Sequence, residues 1–292
     1  MLSGVPSVVG MFTNLSLGAL GLSASDFPSA VELAVKHGFD GIEPDVAYLK
    51  SLGDPAAIAE YADSVRARGL RWAPAGLPVN ITGAATDFGT QLAALPATVD
   101  VLVAAGIPAL GTWIRPMDAV LPYRRNWTRH VERMALVAEI LAGSDLKLGL
   151  EYIGPKTFWS TERYPFIHTL REARELFADI GTGNVGVVLD TYHWYTAGES
   201  ADDLRTLAAG DIVAADVNDA PTGRAVDEQQ DLDRRLPGTT GVIDLAGFTG
   251  ALRDIGYDGP VKVEPFMKSL ADRPIDEVLD EVGTGLRSAL AG

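Results

Sequence analysis

Eight apolar runs of strand length alternate along this chain with amphipathic stretches, and no long linker or low-complexity segment separates them. The runs fall near residues 8–13, 41–45, 70–75, 108–114, 146–152, 184–190, 211–217 and 259–265. Between the first two, DFPSAVELAVKHG offers Ser25 or Asp26 as N-cap, Pro28 in the first turn and Gly38 as its stop. HTLREARELFADIG puts Leu170, Ala173, Leu176, Phe177 and Ile180 on one face and Arg171, Glu172, Arg174 and Glu175 on the other, the pattern of a helix lying outside a sheet. A helix-to-strand joint also repeats, as Gly38-Phe39-Asp40-Gly41 and Gly256-Tyr257-Asp258-Gly259. Short-linked strand–helix repeats of this number close into a barrel, because an open parallel sheet has fewer strands and leaves edges. The expectation is an α/β protein, a (β/α)8 TIM barrel forming a single domain over residues 1–292.

The last four runs each close on a carboxylate: Glu151 in KLGLEYIG, Asp190 in VGVVLDTYH, Asp216 in IVAADVND and Glu264 in PVKVEPF. An acid at the end of a buried strand is costly unless a proton, a cation or a hydrogen-bonding shell compensates it, and four in succession argue for one shared site. In a barrel they would fall at the carboxyl ends of strands five to eight, on one arc of the mouth where such barrels do their chemistry. Four converging carboxylates raise one another's pKa, and a divalent cation relieves them most simply. Oxygen-only ligands suit Mg²⁺ or Mn²⁺.

The absence of cysteine removes disulfides, thiolate metal sites and Cys nucleophiles together, and it fits a reducing cytoplasm, the expected location. MLSGVPSVVGMF has neither a basic n-region nor a long apolar h-region, so no secretory signal is expected. Asp, Gly and Pro interrupt the longest apolar stretches, such as PATVDVLVAAGIPALG, short of the roughly 20 residues of a membrane span. A formal net charge of −15, from 39 acidic and 24 basic residues, repels DNA and phospholipid surfaces. Neither nucleic acid nor membrane is expected as a partner.

Several ordered motifs then carry a resemblance over nearly the whole chain: LKLGLEYIG, NVGVVLDTYHWYTAGES with a D-x-x-H at Asp190 and His193, DVND, DRRLPGTTGVIDL and VKVEPF. The sequence resembles the xylose isomerase-like TIM-barrel superfamily of sugar isomerases and epimerases, which includes 2-keto-myo-inositol isomerase and D-tagatose 3-epimerase, with endonuclease IV as a distant relative. The resemblance implies one divalent metal ion held by Glu151, Asp190, Asp216 and Glu264. Members usually carry a His at the third position, opening an H-x-x-D motif, where this chain has Asp216-Val217-Asn218-Asp219. The exchange makes the shell all oxygen and more anionic, which favours Mn²⁺ or Mg²⁺, with Co²⁺ or Zn²⁺ as alternatives. Whether Asp216 ligates directly, through water, or belongs to an empty site stays open at this point.

The resemblance further assigns Glu151 and Glu264 as the acid/base pair and His193 as a hydrogen-bond partner of the substrate. Arg234 in DRRLPG matches an arginine that reaches substrate oxygen, with Arg235 as the alternative. Glu43, at the end of strand two, is a candidate for hydroxyl recognition, and Trp113, Phe12, Trp159 and Trp194 for stacking on a sugar face. Arg115 and Lys156 are read as anion contacts or surface charge.

The implied activity is isomerisation or epimerisation of a small sugar or cyclic polyol ketone, a ketose or inosose, by proton transfer through a metal-stabilised enediolate. No Gly-rich phosphate cradle stands out, so the substrate is expected to be unphosphorylated. The alternatives are a lyase resembling 3-dehydroshikimate dehydratase and a non-catalytic sugar-binding barrel with a degenerate metal site. Four His and the net charge argue against an endonuclease IV-like hydrolase. Homo-oligomers, common in this superfamily, are left open.

Overall fold

The computed structural model describes residues 10–291. Nine strands form a single curled sheet: β1 (Phe12–Leu15), β2 (Gly41–Ile42), β3 (Arg71–Trp72), β4 (Ala75–Gly76), β5 (Ala109–Trp113), then β7 (Lys147–Glu151), β9 (Val185–Asp190), β10 (Ile212–Val217) and β11 (Pro260–Val263). Two short strands between them, β6 (Met117–Asp118) and β8 (Tyr164–Pro165), pair antiparallel outside that sheet. The order around the sheet is β3-β2-β1-β11-β10-β9-β7-β5-β4, with every pairing parallel.

β3 and β4 are two pieces of one expected strand, parted by Ala73 and Pro74. Pro74 has no N–H to give a ladder. On one side Trp72 pairs with Ile42, and on the other Ala75 pairs with Leu110, so residues 71–76 close the sheet into an eight-stranded barrel. The larger helices are α1 (Phe27–Lys36), α2 (Val46–Ser51), α3 (Pro55–Ala67), α4 (Ala85–Ala105) and α5 (Tyr123–Ala142) in the amino-terminal half. α6 (Lys156–Trp159), α7 (Leu170–Ile180), α8 (Thr191–Thr196), α9 (Ala201–Leu204), α10 (Leu245–Asp254) and α11 (Ile275–Ala291) follow.

The helix signals act as their chemistry dictates. Asp26 caps α1 by accepting from Ser29 N at 2.8 Å, and Gly38 ends it at φ 67°. Thr169 caps α7, which buries Leu170, Ala173, Leu176 and Ile180 and leaves Phe177 partly covered.

Four expectations are corrected. The first strand runs over Phe12–Leu15, with Gly10 and Met11 outside it and its end two residues past the expected 13; residues 8 and 9, like the rest of the segment read for a secretory signal up to residue 9, lie outside the described residues. The second strand stops at Ile42, because Asp45 already caps α2 by accepting from Tyr48 N at 2.9 Å. The third is the one broken at Pro74. The fourth concerns the apolar stretch around Pro96: α4 runs unbroken through Pro96 and Asp100, and by length and composition it is one helix apolar enough to cross a membrane. Here its Leu95, Leu102 and Ala105 are buried in the protein's hydrophobic core, and burial of that face outweighs the missing proline N–H.

Candidate metal centre

Glu151 ends β7, Asp190 ends β9, Asp216 is the penultimate residue of β10, and Glu264 follows β11 directly. These strands are consecutive around the barrel, so the four carboxylates form an arc with Glu151 and Glu264 at its ends. One oxygen from each lies within 4.8 Å of the others. Glu151, Asp190 and His193 form a second, overlapping group with the same spacing.

Asp190 is the most firmly held. Its Oδ1 accepts from the N–H of Tyr192 at 2.6 Å and of His193 at 3.2 Å, capping α8, while Oδ2 accepts from Asn218 Nδ2 at 3.0 Å and Arg234 Nη1 at 2.9 Å. The cap sets His193 three residues on, inside the same site. Gly154 allows α8 to approach the loop after β7, since a Cβ there would lie 2.4 Å from the His193 carbonyl.

Arg234, 1% exposed, is the guanidinium of this site, whereas Arg235 points to Asp233. Its Nη2 donates to Asp231 Oδ1 at 2.8 Å and lies 3.2 Å from His193 Nε2, and its Nη1 also reaches Glu264 Oε2 at 3.4 Å. The Phe266 and Tyr192 rings lie 4.5 and 5.0 Å from its central carbon. Phe266 takes a left-handed backbone conformation, φ 48°, at a cost of about 1 kcal/mol or more. Burial, with Arg234 alongside, pushes His193 down to about 3, so the imidazole is neutral near pH 7. A neutral ring accepts at one nitrogen only, so the contacts of Nε2 with Arg234 and of Nδ1 with Gly154 N, 3.3 Å away, are alternatives.

Two oxygens of the arc are bare. Glu151 Oε1 and Asp216 Oδ1 are buried and have no hydrogen-bond partner among the described residues. Burial, then the charges of Glu264, Asp190 and Asp216, raise Glu151 well above the carboxylate range. Burial likewise pushes Asp216 up to about 8, against the opposing pull of Lys262. Lys262 Nζ lies 3.3 Å from Asp216 Oδ2 and 3.4 Å from Glu264 Oε1. An all-oxygen donor set with two unsatisfied oxygens suits a hard divalent cation.

Two cavities meet at the arc. The inner one, about 160 Å³, is lined by Asn14, Glu43, Thr112, Asp216 and Lys262 among small residues such as Gly111 and Ala214. Above it opens a pocket of about 720 Å³ with Ile153, Phe158, Phe266, His193 and Arg234 in its wall. Trp113 and Glu151 line both. Glu43 thus faces the inner cavity but is not one of the four clustered acids, and Trp113, 48% exposed, stands at the opening.

Other candidates lie elsewhere. Trp159 stacks on His168 with centroids 4.6 Å apart, Trp194 packs edge-on against Phe248, and Phe12 lies under Arg71. Arg115 pairs with Glu162 and Lys156 with Asp227. Lys262, Asn218 and Asp231 were not singled out from the sequence. For Lys262 and Asn218 a signal existed, because each lies two residues from an acid of the arc and strand periodicity puts such pairs on one face.

Residues 31–287 match the family described as Xylose isomerase-like TIM barrel. The chain belongs to that family. Over 139 residues it is 30% identical to an inosose isomerase of Bacillus subtilis, a match covering 47% of this chain and 46% of the relative. The chain thus spans about half the length of that curated relative. A D-psicose 3-epimerase of Agrobacterium fabrum is 26% identical over 256 residues, covering 84% of this chain and 81% of the epimerase. Among solved structures, a xylose isomerase domain protein from Alicyclobacillus acidocaldarius superposes with a TM-score of 0.85 at 28% identity, covering 97% of this chain and 99% of that one.

Proposed function

We propose that this protein is a divalent-metal-dependent isomerase or epimerase of a ketose or inosose, with Glu151 and Glu264 as its proton carriers. The observation that carries the reading is the pair of bare, buried oxygens, Glu151 Oε1 and Asp216 Oδ1, within the arc of four carboxylates. A carboxylate oxygen withdrawn from water without a partner costs several kcal/mol, and a cation removes that cost. Glu151, Asp190, Asp216 and Glu264 would hold the ion, with Mn²⁺ or Mg²⁺ favoured by the oxygen ligands. When bound, such an ion supplies Lewis acidity that makes a C–H beside a carbonyl easier to ionise. Two relatives support an isomerase or epimerase activity, one an inosose isomerase and the other a D-psicose 3-epimerase.

The protein's own groups account for the rest. Glu151 and Glu264 terminate the arc, so a substrate lying across it has a carboxylate on either side. One takes the proton from carbon, and the other, or the same one, returns it. Neutral His193 hydrogen-bonds a substrate hydroxyl, and buried Arg234 holds Asp190 and Glu264 in place beside the pocket that it lines. Glu43 accepts from hydroxyls in the inner cavity, and Trp113 with Phe158 covers the apolar face of the ring and excludes water.

The test is proton exchange. Protein stripped of metal and reloaded with Mn²⁺, Mg²⁺ or Zn²⁺ is incubated in D₂O with a panel of ketoses and inososes and followed by NMR. Deuterium beside the carbonyl, with an isomerised or epimerised product and only after reloading, is expected. Loss of water in its place would point to a dehydratase. No exchange on any substrate with any of the ions sinks the reading.

A further inference from the structure

Lys262 and Glu264 are two residues apart at the end of β11 and face the same side of the barrel wall. The Lys262 ammonium sits between Asp216 Oδ2, at 3.3 Å, and Glu264 Oε1, at 3.4 Å, and borders the inner cavity beneath the arc. Asp216 therefore has one oxygen tied to a fixed cation and the other, Oδ1, bare. Formal charges show what the lysine changes. Four carboxylates against Arg234 and Lys262 carry a formal charge of −2, and Asp231, which shares Arg234, makes it −3, so the cluster stays anionic enough to attract a divalent ion. Without Lys262 the same arc would be one unit more negative, and Asp216 would be free to offer both oxygens.

We propose that Lys262 is a positioning residue of the metal centre: it restricts Asp216 to a single donor atom and thereby biases the site toward a small octahedral cation over Ca²⁺. The inference rests on the metal-dependent reading above. Ca²⁺ takes six to eight oxygens and favours bidentate carboxylates, whereas Mg²⁺ and ions of similar size take six ligands in a tight octahedron. A carboxylate with one oxygen held by an ammonium cannot chelate with both.

Calorimetric titration of the chelator-treated protein with MnCl₂ and with CaCl₂ tests this without any turnover. Lys262→Met is expected to raise affinity for both ions and to shift the Ca²⁺/Mn²⁺ affinity ratio toward Ca²⁺ by about tenfold or more. Lys262→Arg should keep the parent ratio within about threefold. In an Asp216→Asn background, Lys262→Met should leave the ratio where Asp216→Asn alone put it. Lys262→Gln is the second neutral variant if the Met variant fails to fold. An unchanged ratio in a folded neutral variant, weaker binding of both ions, or an equal shift in the Asp216→Asn background overturns the inference alone. A parent that binds neither ion overturns it together with the metal-dependent reading.

Discussion

Asn218 donates to Asp190 Oδ2 through Nδ2 at 3.0 Å, and its Oδ1 in turn accepts the Glu264 N–H at 2.9 Å. One fully buried amide thus sets the distance between two acids of the arc. Asn218→Ala removes a hydrogen bond from Asp190 and leaves the Glu264 N–H without its acceptor. Divalent-ion affinity and kcat/KM should fall about 10–100-fold, and stability by about 1–3 kcal/mol. Calorimetry and urea denaturation measure the two effects, and parent-like ion affinity would count against the assigned role.

Asp219, fully buried, collects five main-chain N–H groups. Its Oδ2 accepts from Thr240 and Gly241 at 2.9 and 2.8 Å, and its Oδ1 from Ala220, Val242 and Ile243 at 2.9, 3.2 and 3.1 Å. Its backbone also bridges to Arg235 in both directions at 2.8 Å, which holds Arg234 in register. Asp219→Ala should cost about 3 kcal/mol or more and remove most activity, because the loop carrying Asp231 and Arg234 loses its anchor. Burial opposes ionisation of Asp219, but the hydrogen bonds led by Thr240 outweigh it and hold its pKa low. Its contribution is therefore present above the unfolded carboxylate range and lost as pH falls below it.

Glu199 has the opposite sign. Tyr152 Oη donates to its Oε2 at 2.5 Å and Leu170 N to its Oε1 at 2.6 Å, yet burial dominates and pushes it up to about 7. The unfolded carboxyl ionises first as pH rises, so the native state binds the extra proton and stability declines between about pH 4.5 and 7. The decline is of the order of 3 kcal/mol at most. Glu199→Gln should flatten that part of the profile, measured as denaturation midpoints from pH 5 to 8. An unaltered slope would show that Glu199 is not its source.

Glu151→Gln and Glu264→Gln should each lower solvent exchange into substrate by about 10²–10⁴-fold while leaving the unfolding transition in place. Exchange that persists in both variants would remove these residues as proton carriers.

The barrel and its acidic arc were legible because burying an apolar strand and ending it on an acid are local events. KLGLE and VGVVLD carry both halves of that pattern in consecutive residues. Lys262 was less visible, since a single cation within PVKVEP has meaning only once Asp216 stands beside it on the next strand. Asp231 and the loop from Asp219 to Ile243 were hidden for another reason. That segment is ordered by main-chain N–H groups converging on one carboxylate, and composition does not register such a contact. Pro74 and Pro96 look alike as breakers in the sequence, yet the first interrupts a ladder that needs its N–H and the second lies in a helix fixed by packing on its buried face.

Residues 71–76, where the barrel closes in two strands of two residues each, lie across the barrel from the acidic arc. Few ladder hydrogen bonds hold that closure, whereas β9 and β10 have six residues each. Amides around Trp72 and Ala75 should therefore exchange with solvent at lower opening cost than those around Val188 and Ala215. A seam that opens first would then lie on the wall facing the four acids, and the longest strands of the sheet would carry two of those acids.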